Sequence, residues 1–492
     1  MVENGNRPPA PQEAEKFKID GTNNLRLPLI ELTAISPLDG RYREDIEDLA
    51  PFTSEMALIK TRVEIEAKYL VALSDVAFIR GLTNQERKRL LSFGQKMTLA
   101  QVERVKEIES TTRHDVKSME RTFREIVSGT SLEDLTEFIH FGLASEDINN
   151  LSYRLMLDRA RKKICVHALD KVIDSLIEKA RDYKTIPMLA RSHGQPAIPT
   201  TLGKEIVNFA FRLNKQVRKL EKVKLTGKLN GAVGNYNALV LAASEVDWIA
   251  FSQKFVKSLS LEPCLFTTQI NQYDDMIELF QAFQRVNGVL LDVNQDMWRY
   301  ISDDWFVQEI KKDEVGSSTM PQKVNPIDFE NSEGNLQVAN TILDLFNRKL
   351  HVSRLQRDLY DSTVVRNVSI SLGYGLLAYR KALEGLSRIH PNLGLIQEKL
   401  NENWTILTEG VQTVLRRARE KDPYSLVAGF SKGRRIGQEE WKDWINSLPI
   451  ATDIKNKLIK LTPESYIGKA IKLTDLALEK ITASRKNKRN DT

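Results

Sequence analysis

The stretch MIELFQAFQRVNGVLLDVNQDM, Met276 to Met297, repeats large apolar side chains at Met276, Leu279, Phe283, Val286, Leu290, Val293 and Met297. Steps of three and four place these side chains on one side of a helix. A heptad-like stripe kept for this length implies a helix packed lengthwise against others. The fold class follows: all-α, built around a long-helix bundle. The same spacing recurs upstream at Ile206, Ala210, Leu213, Val217 and Leu220, and downstream at Val338, Ile342, Leu345 and Phe346.

Proline placement agrees. None occurs between Pro51 and Pro187, between Pro199 and Pro263, or between Pro326 and Pro391. An interior proline would break a helix at a cost of ~3 kcal/mol, so these gaps leave room for long ones. A chain of 492 residues exceeds one hydrophobic core and divides into domains. The expected division is a flexible lead-in (1–30), an N-terminal helical domain (31–133), a central long-helix bundle carrying the candidate catalytic loop (134–385), a C-terminal helical domain (386–483) and a disordered basic tail (484–492).

An apolar fraction of 41% with 28% charged residues is that of a soluble globular protein. No window approaches the ~18 apolar residues of a membrane span, so no membrane partner is expected. Cys165 and Cys264 have no metal-type spacing and read as reduced thiols. The first thirty residues lack the apolar core of a secretory signal, and their acids and missing serine argue against a transit peptide, giving a cytoplasmic address. Arg485, Lys486, Lys488 and Arg489 make the tail basic, but it lacks interleaved aromatics, and nucleic acid is not expected as a partner.

Four polar segments interrupt the helices. GSSTMPQKVNPIDFENSEGN, Gly316 to Asn335, reads as a loop to Asn325, then a helix capped by Asn325 with Pro326 in its first turn. Lys323, the serines and that helix's free amides make it friendly to anions. RSHGQPAIPTT, Arg191 to Thr201, puts His193 on a turn, where an imidazole suits general acid or base work. STTRHDVKSME, Ser110 to Glu120, reads as a helix start capped by Ser110 or Thr111, with His114 and Lys117 one turn apart. KLNGAVGNYNA, Lys228 to Ala238, reads as a glycine-rich helix connection, since no strand precedes it and the dinucleotide-loop spacing is missing. No P-loop, GxSxG, HExxH or paired CxxC occurs, and the six histidines have no ligand spacing. The chemistry then rests on Ser, His, Lys, Arg and Asn, with no metal and no cofactor expected.

Gly316 to Asn325 matches GSSxMPxKxN, the hallmark loop of the fumarase/aspartase superfamily, in full. Within it the chain resembles the adenylosuccinate lyase family through SPLDGRY (36–42), TTRHDVK, EFIHFGLASEDINNL, SHGQPA, GKLNGAVGNYNA, TTQI (267–270), SRLQRDLYDSTVVRN (353–367) and YIGKA (466–470). The resemblance implies three helical domains, a homotetramer whose active sites are shared between subunits, and β-elimination of fumarate from two succinyl-purine nucleotides, adenylosuccinate and succinyl-aminoimidazole carboxamide ribotide. It implies Ser317 as general base, His193 as the acid that protonates the departing nitrogen, and Lys323 and Asn325 as donors to the developing aci-carboxylate. It implies substrate contacts from Arg41, Tyr42, Arg113, His114, Asp115, Lys117, Ser145, Gln269, Asn331, Arg357, Ser362, Thr363 and Arg366.

The chain departs from that family in three places. Ala144 stands where relatives carry threonine, Ser192 replaces a threonine before His193, and Gln322 replaces a frequent histidine. Glutamine at this last position is common in argininosuccinate lyases. The alternatives to adenylosuccinate cleavage are therefore another elimination within the superfamily, or a non-catalytic protein on the same scaffold.

Overall fold

The computed structural model describes residues 30–310, 315, 316 and 318–486, in two compact units, 1–45 and 46–492. All but Ile30 of the expected lead-in, and residues 487–492 of the expected tail, lie outside the described residues.

The second unit is helical, as the apolar stripes require. Five long helices form its centre: Val166–Asp182, Leu202–Lys222, Asp274–Ser302, Ile327–Lys349 and Val368–Arg388. Each packs on the next and the fifth returns to the first, closing a ring around one apolar core. All seven stripe residues between Met276 and Met297 are buried, as are Ile206, Ala210, Leu213, Val217 and Leu220. Asparagines fix how the helices slide past one another. Asn287 donates to Asn340 (2.8 Å) and accepts from the Tyr379 hydroxyl (2.7 Å), while Asn294 donates to Ser332 (2.8 Å). These buried polar pairs hold only in one register.

The downstream stripe holds at Phe346 and is corrected at Val338 and Leu345. Ile327–Lys349 buries Ser332, Leu336, Ala339, Leu343 and Phe346, whereas Val338 and Leu345 remain 41% and 43% exposed. Two apolar stripes run along this helix, and the inner one is interleaved with Ser332 and Ala339, small residues that a search for large side chains passes over.

Upstream, Glu55–Asp75 packs on Asn84–Lys96, on Asp115–Val127 and on Ser145–Ala160. The last of these runs through a π-helical turn, Arg161–Cys165, into Val166–Asp182. There Arg161 turns inward and donates to the carbonyls of Leu220 (3.0 Å) and Val223 (2.7 Å), which end the Leu202–Lys222 helix. Ala470–Lys486 packs on that same helix. It contains Ser484, Arg485 and Lys486, so three residues assigned to a tail are helical, with Arg485 paired to Asp174. Strands are few and short among the described residues: Pro187–Ser192 with Gln195–Thr201, Thr226–Gly227 with Glu262–Pro263, and Phe306–Gln308 with Ile389–Pro391. No described helix is long and apolar enough to cross a membrane.

Candidate active site: two half-sites at opposite ends of a long helix

His193 and Gly194 form the two-residue turn of the antiparallel hairpin Pro187–Thr201, flanked by the pair Ser192 and Gln195. Their φ angles are 54° and 74°. Two consecutive positive values give the turn whose twist matches that of the strands, and glycine meets this requirement without strain. The turn pushes the imidazole off the tip, exposed. Lower on the hairpin, Arg191 lies 5.7 Å over the ring of Trp305, just beyond the C-terminus of Asp274–Ser302.

The polar loop lies at the same end. Ser317 falls outside the described residues; its neighbours Gly316 and Ser318 to Pro326 are described. Asn325 does not cap the following helix, correcting the sequence reading. Its amide instead reaches back and donates to Gly316 O at 2.7 Å, closing the neck of the loop. The helix begins at Ile327 with no side-chain cap. Gly316 is demanded by this neck, because a Cβ there would sit 2.0 Å from Lys323 O. Gln308 Nε2 ties the strand after the long helix to Val324 O (3.2 Å). Lys323 is exposed, and its ammonium has no partner among the described residues. Asn331 follows one turn into the helix and accepts from the Asn335 amide at 2.6 Å.

At the N-terminal end of Asp274–Ser302 a second group converges. Ser110 and Thr111 are not caps: they close the preceding helix, Leu99–Thr112, bonding back to Glu107 O and Ile108 O. Arg113 breaks the chain with φ 53°, and His114 itself caps Asp115–Val127, its Nδ1 accepting the Lys117 amide at 3.2 Å. His114 and Lys117 are thus joined through a cap rather than along a helix face, and the Lys117 ammonium pairs with Glu120 (2.8 Å). Asp115 accepts from buried Arg62 (2.7 Å) and from Arg366 (3.1 Å). Burial alone would raise this carboxyl, but Arg62, the Val116 amide and Arg366 outweigh it and hold it at about 2. Arg357 donates to Gln269 Oε1 (3.3 Å) and faces Glu146 Oε2 at 3.5 Å. Ser145 opens the helix that carries Glu146; Ser362 and Thr363 lie one turn before Arg366 on Tyr360–Val365. In the first unit, Arg41 lies 5.8 Å over the ring of Tyr42 within the turns of SPLDGRY.

Sequence reasoning missed the groups that hold this second cluster in place. Asp147, fully buried, accepts the Ala144 amide (2.8 Å) on one oxygen. On the other it accepts Lys228 Nζ (2.7 Å) and the amides of Asn230 (3.0 Å) and Gly231 (3.2 Å). Asn150 takes both the N–H and the C=O of Lys228. Asn230 then donates to Thr267 Oγ1 (2.9 Å), two residues before Gln269. The KLNG segment is therefore a buried brace between SEDINN and TTQI, and a two-residue strand, Thr226–Gly227, precedes it after all. Ala144 has no oxygen to offer the helix it caps, which leaves only half of a reciprocal cap. The available signal was the spacing of Asp147, Asn150, Lys228 and Asn230, polar residues in otherwise apolar surroundings.

Asp274–Ser302 has 29 residues, so at 1.5 Å per residue the two ends are about 43 Å apart. Gln269, Arg357, Arg366 and Asp115 are grouped at one end, Lys323, Asn325, Asn331 and the His193 hairpin at the other. Cations and amides at the first end suit anionic groups; the second presents an exposed imidazole and an exposed ammonium beside a polar loop.

Residues 40–340 match the family model described as "Lyase", and residues 353–467 the one described as "Adenylosuccinate lyase C-terminal". The chain is 44% identical over 451 residues to an adenylosuccinate lyase of Haemophilus influenzae, covering 91% of this chain and 99% of that protein. It is 43% identical over 455 residues to the Escherichia coli K12 protein of the same name (91% and 99%), and 42% over 461 residues to that of Dictyostelium discoideum (91% and 98%). Among solved structures, a fumarate lyase from Mesorhizobium superposes with a TM-score of 0.72 at 15% identity, covering 88% of this chain and 98% of that one. A 3-carboxy-cis,cis-muconate lactonizing enzyme from Pseudomonas putida gives 0.71 at 16% (89% and 98%), a likeness of fold. With its helical ring, its intact GSSTMPQKVN loop and relatives matched along nearly their whole length, this chain belongs to the adenylosuccinate lyase family.

Proposed function

We propose that the protein is a C–N lyase that eliminates fumarate from adenylosuccinate, giving AMP, and from succinyl-aminoimidazole carboxamide ribotide, in the cytoplasm. The observation that carries this reading is the separation of two complementary half-sites. One end of Asp274–Ser302 gathers Arg357, Arg366 and Gln269; the other exposes His193 and the Lys323 loop.

In the reaction, Ser317 as alkoxide removes the proton next to a substrate carboxylate, producing a doubly negative aci-carboxylate. Lys323 and Asn325 donate to that charge, in surroundings that exclude water. As the C–N bond breaks, its electron pair passes to the departing nitrogen of the nucleotide, which takes a proton from the His193 imidazolium, and the C=C bond of fumarate forms. Arg113, His114, Lys117, Ser145, Gln269, Arg357, Ser362, Thr363 and Arg366 hold the nucleotide, with Arg41 and Tyr42, and Asn331 assists at the loop. Asp115 serves by orienting Arg366. The domain division at 133/134 and 385/386 belongs to the same reading.

Half-sites about 43 Å apart on one rigid helix cannot meet within a chain, and we place each working site between subunits of a homotetramer. The exposed stripe of Val338 and Leu345 supports association along the bundle.

The purified protein is expected to consume adenylosuccinate, followed by loss of the succinyl-purine absorbance, and Ser317→Ala is expected to abolish turnover while nucleotide binding persists. Cleavage of argininosuccinate instead would overturn the substrate assignment. Mixing inactive His193→Ala and Arg357→Ala chains under subunit exchange should restore roughly a quarter of the native sites. No recovery would refute sharing between subunits.

A further inference from the structure

The buried acid Glu146 is not used by the mechanism above, yet it touches the machinery. Its side chain lies at the start of Ser145–Ala160, with Arg357 Nη2 3.5 Å from its Oε2. No described donor makes a hydrogen bond to it. Arg357, its nearest cation, is itself underused. Nη1 donates to Gln269 at 3.3 Å, and Nε is buried with no hydrogen-bond partner among the described residues.

The charges facing Glu146 come from its own helix, which carries Asp147 and Arg154, and from the segments that carry Lys228, Asp275, Arg357 and Asp361. Arg154 is committed to Asp275, bonding both its oxygens at 2.8 Å. Lys228 is committed to Asp147. Asp361 lies on the segment after Arg357 and accepts the Tyr273 hydroxyl at 2.9 Å. The cations are Arg154, Lys228 and Arg357; the carboxylates are Asp275, Asp147, Asp361 and Glu146. Negative charges exceed positive by one when Glu146 is ionised and balance when it is protonated. An anionic substrate arriving at Arg357 tips the balance further.

Resting on the proposed function, we infer that Glu146 is a positioning residue that exchanges a proton for the substrate's anion. Ionised, it holds Arg357 to itself; on taking up a proton it releases the guanidinium, including its idle Nε–H, to an anionic oxygen of the substrate. The physical setting favours such uptake near neutral pH. Burial, first, pushes this carboxyl up to about 7, with Arg357 opposing and Asp361 adding to the rise.

A single proton linked to binding changes affinity by up to about tenfold between about pH 6 and about pH 8. The wild-type KM is therefore expected to rise toward alkaline pH. Titration of the substrate phosphate, with its pKa of about 6, works in the opposite direction. Glu146→Gln, near-isosteric and permanently neutral, should keep KM near its acid-side value throughout. At the alkaline end it should bind up to about tenfold more tightly than the wild type, whereas a merely structural residue would leave the slope unchanged.

Calorimetry of AMP binding to the full-length protein, in buffers of different ionisation enthalpy, gives a readout free of turnover. Proton uptake is expected for the wild type and absent in Glu146→Gln. Should that variant not fold, Asp361→Asn is expected to move the wild-type KM rise to lower pH. A wild-type KM that does not rise with pH, or the same slope and uptake in Glu146→Gln, would overturn the inference while leaving the lyase reading intact. AMP-linked uptake without adenylosuccinate cleavage would do the reverse.

Discussion

Replacing Asp147 by asparagine tests whether the buried brace sets the geometry of the binding end. Both carboxylate oxygens accept only from nitrogen donors: the Ala144 amide on one, Lys228 Nζ and the amides of Asn230 and Gly231 on the other. Whichever way the new amide turns, its NH2 meets an N–H. One hydrogen-bonded position is lost and a donor is left facing a donor, at ~1–3 kcal/mol. Lys228, fully buried, then retains Gly231 O (2.7 Å) but no counter-charge, and breaking such a pair from one side costs ~3–5 kcal/mol. These effects overlap, so the expected total is about 4 kcal/mol. Lys228→Met added to Asp147→Asn should recover about 2 kcal/mol, because the stranded charge is gone. Denaturant unfolding at fixed protomer concentration measures both, since dissociation and unfolding are linked in an oligomer. The brace reaches Thr267 through Asn230, so Asp147→Asn is also expected to raise KM more than it lowers kcat. A single-variant cost below about 1 kcal/mol, or a double variant that loses the sum of both, would refute the reasoning.

Ala144→Thr should supply the missing half of the cap on Ser145–Ala160, since residue 144 already has the extended backbone (φ −101°, ψ 156°) that a capping threonine adopts. A gain of about 1 kcal/mol in unfolding free energy is expected, and no gain would show the Ser145 end to be satisfied otherwise. Asp115→Asn should cost about 1 kcal/mol at neutral pH, a figure reduced for partial solvent exposure. The folded carboxyl is depressed to about 2, so its contribution is present above the unfolded value of 3.8 and fades as the pH falls through about 2. Acid unfolding curves of wild type and variant that stay parallel down to about pH 3 would contradict this.

The bundle was legible because the stripes on Leu202–Lys222 and Asp274–Ser302 are made mostly of large side chains, all of them buried. On Ile327–Lys349 the inward positions include Ser332 and Ala339, so the rule of large apolar residues found the inward Phe346 but otherwise selected the outward Val338 and Leu345. The hairpin turn at His193 followed from His-Gly between prolines, but the caps did not follow from residue type. Ser110 and Thr111 precede a residue in the left-handed region, which ends one helix and leaves His114 to start the next. Asn325 had two uses open to its amide, and the Gly316 carbonyl, nine residues away, took it. Such choices are made by tertiary neighbours, which local spacing does not encode. The brace was hidden for the same reason: Asp147 and Lys228 are 81 positions apart and join only after the helices have packed.

The long helix explains why the reactive segments are loops at all. A ring of packed helices is stiff, and its side chains are consumed by the core and by the asparagine pairs that fix register. Irregular segments at the two ends keep polar side chains outside that core, and they carry His193, Lys323, Arg357 and Arg366. With a rigid spacer of about 43 Å between them, no rearrangement of one protomer short of unfolding unites the two sets. Antiparallel association of bundles would set the binding end of one chain beside the loop end of another, so the length of Asp274–Ser302 would fix the spacing of the sites. A one-turn insertion into that helix should leave each chain folded while displacing the paired half-sites by about 5 Å, enough to remove turnover. Full activity in such an insertion would mean that the loops, and not the helix, determine where the substrate is held.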